Sequence, residues 1–155
     1  MKKKFILIFV LLIVKSTFSQ KDIADLLYDN FEFELASKYY EDADSLNQYQ
    51  LEKHALCYYL NNDFHSSIPL FEKALKVDSN NLNLNFHYSV CLKNVGRYQS
   101  AKIILNSIYS SDTNNTLVKL HLSSIDSLMK WDTLQFFKKL AAYDNINTKS
   151  SQFAP

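Results

Sequence analysis

The sequence is poor in the residues that make tight turns. Gly96 is its only glycine, and its two prolines are Pro69 and Pro155. A fold of many β-strands needs frequent turns, so this scarcity disfavours such folds and favours long helices with short connections. A single glycine also excludes glycine-rich phosphate-binding loops and the G-x-S-x-G motif of many hydrolases.

The chain also lacks an apolar run long enough to cross a membrane. Its longest run, residues 5–14, has ten residues, whereas a spanning helix needs about 20. Lys2, Lys3 and Lys4 precede this run, and the small residues Thr17 and Ser19 follow it. This order is typical of a secretory signal peptide. We predict that residues 1–19 are cleaved and that the protein is periplasmic or secreted; a retained anchor is the alternative.

There is little net charge of either sign. Removal of residues 1–19 takes away four lysines and changes the formal net charge from +1 to −3. A mildly acidic chain has no general attraction for nucleic acid. We therefore expect neither a nucleic-acid partner nor, after cleavage, contact with a membrane. The remaining 136 residues are enough for one domain with a continuous core.

Cysteine is scarce as well. Cys57 and Cys91 are the only two, and they lie 34 positions apart. Exported proteins often pair such cysteines in a disulfide. Equivalent positions on neighbouring packed helices are about 8–10 Å apart, however, beyond the roughly 7 Å that a disulfide tolerates between Cα atoms. We favour two buried free thiols over a disulfide.

What the chain does contain is an internal repeat of 34 residues. Four pairs of similar residues keep this spacing: Phe64 and Tyr98, Phe71 and Leu105, Asp78 and Asp112, Asn81 and Asn115. Apolar residues on both sides of each turn recur with helical spacing, as Ile68, Phe71 and Leu75 do. A sustained period of this length predicts stacked helical hairpins.

The turns of the repeat carry their own signals. Asp63 can cap the second helix of its hairpin, and Asn62 and Gly96 tolerate the left-handed conformation that ends a first helix. We expect the pairs Asn80-Asn81 and Asn114-Asn115 to end the second helices in the same way. Pro69 would break a helix that begins at Phe64, so we predict a later start, with a cap at Ser66 or Ser67 and Pro69 in the first turn.

These residues resemble the tetratricopeptide repeat (TPR) family, whose unit has small side chains at places 8, 20 and 27 and bulky ones at places 4, 11, 17 and 24. In the better copy these places hold Ala55, Ser67 and Ala74, then Leu51, Tyr58, Phe64 and Phe71. The next copy holds Ser89, Ala101 and Ile108, then Asn85, Leu92, Tyr98 and Leu105. Asn85 and Ile108 depart from the pattern. A weaker first copy contains Ala24, Leu27, Phe33, Ala36, Tyr40 and Ala43.

The resemblance implies an all-α, right-handed α-solenoid of antiparallel helical hairpins, with about three repeats and a C-terminal capping helix pair. Within a domain of residues 20–143, we place the repeats at 20–47, 48–81 and 82–115 and the capping hairpin at 116–143. The two helices of that hairpin are expected at 117–130 and 133–143, on either side of Trp131 and Asp132. Residues 144–155 are expected to form a flexible tail.

No catalytic or metal-binding pattern stands out. His54, His65, His87 and His121 are scattered, without the spacing of a helical metal site. Glu32, Glu34, Glu41, Asp42 and Asp44 form an acidic cluster, which a solvated helix face explains more simply than a cation site does. We expect no enzyme activity, cofactor or metal.

The family binds its partners in a groove lined by the first helices of successive hairpins. The matching positions here are Tyr49, Glu52, Leu56, Tyr59 and Leu60, then Asn83, Phe86, Val90, Lys93 and Asn94. Family members that bind the C-terminus of a chaperone hold its carboxylate with Lys and Asn. This chain has Glu52 and Leu56 at those two positions, so a chaperone C-terminus is not the expected ligand. The apolar groove suits a helix or an extended peptide; alternatively, some of these residues belong to the core.

The resemblance therefore predicts an exported interaction module or scaffold that binds an envelope protein or peptide. The alternative is a sensory or regulatory segment related to longer signalling proteins, in which such arrays are common. The oligomeric state is left open.

Overall fold

A computed structural model describes the backbone of residues 19–150 and the side chains of residues 19–140. This part of the chain contains no strand and seven helices. They are α1 (Gln20–Asp29), α2 (Phe33–Glu41), α3 (Gln48–Leu60), α4 (Phe64–Val77), α5 (Leu82–Asn94), α6 (Tyr98–Ser111) and α7 (Thr116–Ser150). The predicted all-α repeat fold is confirmed. The predicted signal peptide lies outside the described residues, apart from Ser19.

Asparagine caps three helices at intervals of 34 residues, before Gln48, Leu82 and Thr116. The side chains of Asn47, Asn81 and Asn115 accept hydrogen bonds from backbone N–H groups three residues ahead, at 2.9, 3.1 and 3.1 Å. Asn81 has φ −66°. The prediction that Asn80-Asn81 and Asn114-Asn115 end the preceding helices in the left-handed conformation is thus wrong, because none of the four has a positive φ. The side chains of Asn81 and Asn115 satisfy the free N–H groups of the next helix instead. The predicted Asp63 cap is confirmed, with Ser66 N–H donating at 3.1 Å.

The first helix of a hairpin ends in a left-handed residue. Phe31, Asn62 and Gly96 have φ values of 64°, 60° and 82°. In each case the next N–H donates to a carbonyl five residues back; for Asp63 and Arg97 the distances are 2.9 and 2.8 Å. This is the Schellman arrangement, which satisfies carbonyls at a helix end. The predictions for Asn62 and Gly96 are confirmed.

Pro69 lies inside α4, so the predicted late start of this helix is wrong. The helix begins at Phe64, directly after the Asp63 cap. Pro69 has no N–H to donate to the His65 carbonyl, which weakens the helix locally. Long-range packing outweighs this cost, since Ile68 and Phe71 on either side are buried.

Within the described part of the chain, residues 19–97 form one compact unit. Small side chains lie where its helices approach one another: Ala24, Ala36, Ala55, Ser67, Ala74 and Ser89 are all fully buried. The Ser67 hydroxyl donates to the Ala55 carbonyl at 2.8 Å and so ties α4 to α3. These buried positions are the small places of the 34-residue pattern, as predicted.

The last helix replaces the predicted capping hairpin. Residues 98–150 form a second compact unit, in which α7 is one helix of 35 residues. The capping helix pair is therefore wrong. Residue 130 stands 34 positions after Gly96, and it is lysine. A left-handed conformation costs a residue with a side chain about 1–2 kcal/mol, and lysine is a good helix former, so nothing local stops the helix.

α7 also extends into the predicted tail, because residues 144–150 are helical and only 151–155 lie outside the described residues. No helix among the described residues has the length and apolar character to span a membrane.

Candidate functional site

The first helices α1, α3 and α5 lie side by side in the first unit. The Tyr59 ring of α3 contacts the His87 ring of α5, with centroids 4.8 Å apart. The Phe86 ring lies 5.7 Å from the same imidazole. Two of the predicted binding residues, Tyr59 and Phe86, are therefore brought together around His87. We call the surface formed by α1, α3 and α5 the first-helix surface.

The predicted binding residues differ in exposure. Tyr49 is 60 % exposed, and Glu52, Leu56, Tyr59, Phe86 and Lys93 are partly buried. Val90 is only 7 % exposed and belongs to the core. The other groove positions, Leu60, Asn83 and Asn94, are exposed. The first-helix surface thus offers aromatic and aliphatic side chains that are already packed on one side, which reduces the entropy lost on binding.

His87 is partly buried among aromatic side chains. Its imidazole stacks on Phe71 at 6.3 Å, and its Nδ1 is buried without a hydrogen-bond partner. Burial lowers the pKa of His87, so the ring is neutral near pH 7. A neutral ring among aromatic side chains fits an apolar surface.

A buried lysine, which the sequence pattern did not predict, joins α1 to α3. The Lys53 side chain is only 6 % exposed; its Nζ lies 2.8 Å from Asp29 and 3.7 Å from Asp25. The ammonium also lies 4.8 Å from the ring centroids of both Tyr28 and Tyr49. This arrangement combines ion pairing with cation–π contacts.

Asp25 is the centre of this polar group. It accepts hydrogen bonds from the Tyr40 hydroxyl at 2.5 Å and from Gln50 at 3.0 Å. Burial lowers the pKa of Lys53, but its hydrogen bond to Asp29 and the charges of Asp25 and Asp29 outweigh this, and the pKa is raised. Lys53 therefore stays charged. Two features of the sequence could have predicted this polar group. Asp25 and Asp29 are spaced to lie on one face of α1, and Lys53 stands in an apolar stretch of α3.

The two cysteines behave as small core side chains. Cys57 and Cys91 are both buried and free, and the Cys91 thiol lies 3.6 Å from the Ser67 hydroxyl. Burial raises the pKa of Cys57 to about 12 and that of Cys91 to about 11. The thiolate is the reactive form of cysteine. Neither residue is suited to nucleophilic chemistry near neutral pH.

No group of three or more histidine, cysteine or carboxylate side chains within residues 19–140 is arranged to hold a metal ion. Within the acidic cluster, Glu34 pairs with Lys38 at 2.8 Å, one helical turn away.

Comparison with known proteins identifies the repeat. A family model for the tetratricopeptide repeat matches residues 51–81, which span most of α3 and all of α4. The chain carries a tetratricopeptide repeat. The matched TPR is the copy in which the small places hold Ala55, Ser67 and Ala74, all fully buried. No curated protein is similar enough in sequence to count as a match.

Solved TPR structures share the fold. The second TPR domain of human RPAP3, in complex with an HSP70 peptide, is 18 % identical, with 70 % of this chain and 92 % of that chain covered and a TM-score of 0.59. A MamA structure from AMB-1 is 20 % identical, with 81 % and 72 % covered and a TM-score of 0.63. Yeast Tom70 is 19 % identical, with 77 % and 25 % covered and a TM-score of 0.65. Identities this low establish the TPR fold alone.

Proposed function

We propose that the protein is an exported interaction module whose first-helix surface holds a peptide or a segment of another envelope protein. The observation that carries this proposal is the contact between α3 and α5. It joins Tyr59, His87 and Phe86 into one partly exposed aromatic surface. Aromatic side chains supply most of the binding energy at such surfaces.

Two of the similar structures support a peptide ligand. The second TPR domain of human RPAP3 was solved with an HSP70 peptide, and the first TPR of Spaghetti with an HSP90 peptide. In the present chain the exposed Tyr49 and the partly buried Leu56 extend the aromatic surface along α3. The segment bound here is expected to be apolar, because Glu52 would repel a carboxylate.

Export rests on the sequence of residues 1–19, with its basic start, apolar run and small residues before Gln20. Cell fractionation tests this part of the proposal. The mature chain should appear in the periplasm or medium with Gln20 as its first residue, and a chain retained intact in the cytoplasm would contradict it.

A capture experiment with matched variants tests the binding surface. The mature wild type and a Leu56→Arg/Asn83→Arg variant are immobilised and exposed to envelope extract, and retained proteins are identified by mass spectrometry. Exposed apolar residues elsewhere supply the control: Ile103 on α6 and Leu120 on α7 are 65 % and 62 % exposed. The Ile103→Arg/Leu120→Arg variant adds the same charge.

The expected result is a protein retained by the wild type and the control but lost with the Leu56→Arg/Asn83→Arg variant. Thermal melting must show that both variants remain folded. Identical retention by all three proteins would exclude the first-helix surface as the binding site.

A further inference from the structure

The early end of α2 opens a cavity in the first repeat. α2 has nine residues, whereas its counterpart α4 in the next repeat has 14. Ala43, which matches the fully buried Ala74 of the next copy, therefore lies in a loop and is partly exposed. The space that the last turn of a full-length helix would fill is left open.

The result is a cavity of about 610 Å³ between α2, the loop after it, α3 and α4. We call it the His54 cavity. Its volume lies in the range of sites for small ligands and peptide side chains, roughly 300–1,000 Å³. The apolar and aromatic part of its wall includes Tyr40, Leu46, Leu51, Pro69 and Leu70. It lies apart from Tyr59 and Phe86, which do not line it.

His54 gives this wall an unused polar group. The residue is only 5 % exposed, its Nε2 has no hydrogen-bond partner, and its ring lies between those of Tyr40 and Tyr58 at 5.6 and 5.5 Å. Buried polar atoms are normally hydrogen-bonded, and Nε2 is an exception that neighbouring atoms cover. Burial lowers the pKa of His54. The ring is therefore neutral near pH 7 and adds no positive charge to the cavity.

Two smaller depressions adjoin the cavity. One shares Ala43, Asp44 and Ser45 with it, and the other shares Glu41 and Tyr58. We call the three adjoining depressions together the α2 trough. Adjoining depressions suit an extended chain better than a single compact molecule.

The α2 trough is acidic. Its walls carry five carboxylates, Glu34, Glu41, Asp42, Asp44 and Asp63, against the lysines Lys21, Lys38 and Lys73. Lys38 is already paired with Glu34 at 2.8 Å. At the cavity itself Glu41 and Asp44 face only Lys73. The acidic cluster seen in the sequence is thus the lining of a recess as well as a solvated face.

We propose that the α2 trough is a second binding site, for an extended basic peptide that places an arginine or lysine side chain in the His54 cavity. The aliphatic stem packs between Leu51, Pro69 and Leu70, while the cationic head donates to Glu41 and Asp44. Long basic side chains combine an apolar stem with a charged head in this way. The site does not depend on the first-helix surface.

NMR titration of the mature chain tests the site. The probe is a blocked hexapeptide of alternating leucine and arginine, and its counterpart with glutamate in place of arginine is the negative control. The arginine peptide should shift the imidazole signals of His54 saturably, and the glutamate peptide should not. No saturable shift with the arginine peptide, or shifts centred on Tyr59 and Phe86 instead, would overturn the proposal.

Matched variants test the charges. Glu41→Gln keeps an oxygen that can accept from the Tyr58 hydroxyl, as Glu41 does, and Asp44→Asn changes an exposed loop residue. The double variant should bind the arginine peptide about tenfold more weakly, as expected for lost charge-assisted hydrogen bonds. The exposed pair Asp112→Asn/Asp132→Asn removes the same charge elsewhere and should leave the affinity unchanged. Equal affinities for both double variants would contradict the site.

Blocked arginine alone distinguishes a peptide from a small cation. It should bind much more weakly than the hexapeptide, because it fills only the His54 cavity. If it bound as tightly, the ligand would be a small organic cation and the peptide assignment would be wrong.

Discussion

The hairpin of α3 and α4 and the single helix α7 cover corresponding parts of the same 34-residue period, yet only the first turns back on itself. At the turn, Asn62 adopts φ 60° and Asp63 caps the next helix. In α7 the corresponding place of the period holds Lys130, and the helix continues to Ser150. The repeat period sets where a turn is possible, and the residue at that place decides whether it forms.

The difference has a consequence for packing. Lys102 near the start of α6 pairs with Asp126 of α7 at 2.6 Å. Lys102 lies only one turn after the start of α6 at Tyr98. No α6 residues therefore lie beside α7 after about residue 130. Apolar side chains beyond that point stay exposed by 46–60 %: Trp131, Leu134, Phe136, Phe137 and Leu140. In the α3–α4 hairpin the corresponding residues form α4, which turns back along α3 and buries Ser67, Ile68 and Phe71.

The largest expected effect tests the packing of the hairpin. Ala74 is fully buried in α4, so Ala74→Leu should overpack the site and destabilise the protein by about 1–3 kcal/mol. Chemical denaturation measures this change. Lys76→Leu, at an exposed position of the same helix, is the control and should change the free energy of unfolding by less than about 0.5 kcal/mol. Equal effects would show that Ala74 is not a close-packing position.

The next largest effect on stability is expected from changing the residues at the turn positions, Gly96 and Lys130. Gly96 has φ 82°, and a side-chain carbon added there would meet no atom within 4 Å, so Gly96→Ala should cost about 1 kcal/mol through backbone strain alone. Lys130→Gly should cost slightly less, about 0.5–1 kcal/mol, because glycine weakens a continuous helix. Both changes are measured by chemical denaturation, and Asn62→Gly is the control that should be nearly neutral. If Lys130→Gly instead stabilised the protein, a hairpin at residues 116–143 would be the favoured structure.

The smallest expected effect is a difference in the pH dependence of stability between the helices α3 and α5 and the helix α7. The pKa values of His54 and His87 are lowered in the folded protein by burial. The unfolded chain therefore binds more protons, and the stability that these residues contribute is complete above about pH 6.5 and is lost as the pH falls toward their folded pKa values. Hydrogen exchange followed from about pH 7.5 to 5.5, across the ordinary histidine pKa, should show loss of protection in α3 and α5. Protection in residues 116–129 of α7 should change less, and an equal loss in both regions would contradict the assignment to His54 and His87.

Much of the site could be placed from the sequence, since position along a helix follows from periodicity. The pattern located Tyr49, Tyr59 and Phe86 on first helices, and the structure brings Tyr59 and Phe86 together around His87. Whether each residue is accessible depends on its neighbours, and Val90 proved to be buried. The Lys53 group and the His54 cavity could not be predicted, because each combines residues from three helical elements or their connecting loop.

What the sequence determined by itself is local: the helices, the left-handed turns at Asn62 and Gly96, and the small residues at the places where helices approach. Each depends on the conformational preference of one residue or on a short period. Tertiary structure decided the rest. Pro69 remains within α4 because buried neighbours outweigh one lost hydrogen bond. Lys53 is buried because Asp25 and Asp29 of another helix neutralise it, and the His54 cavity exists because α2 ends before it can fill the space beside α3 and α4.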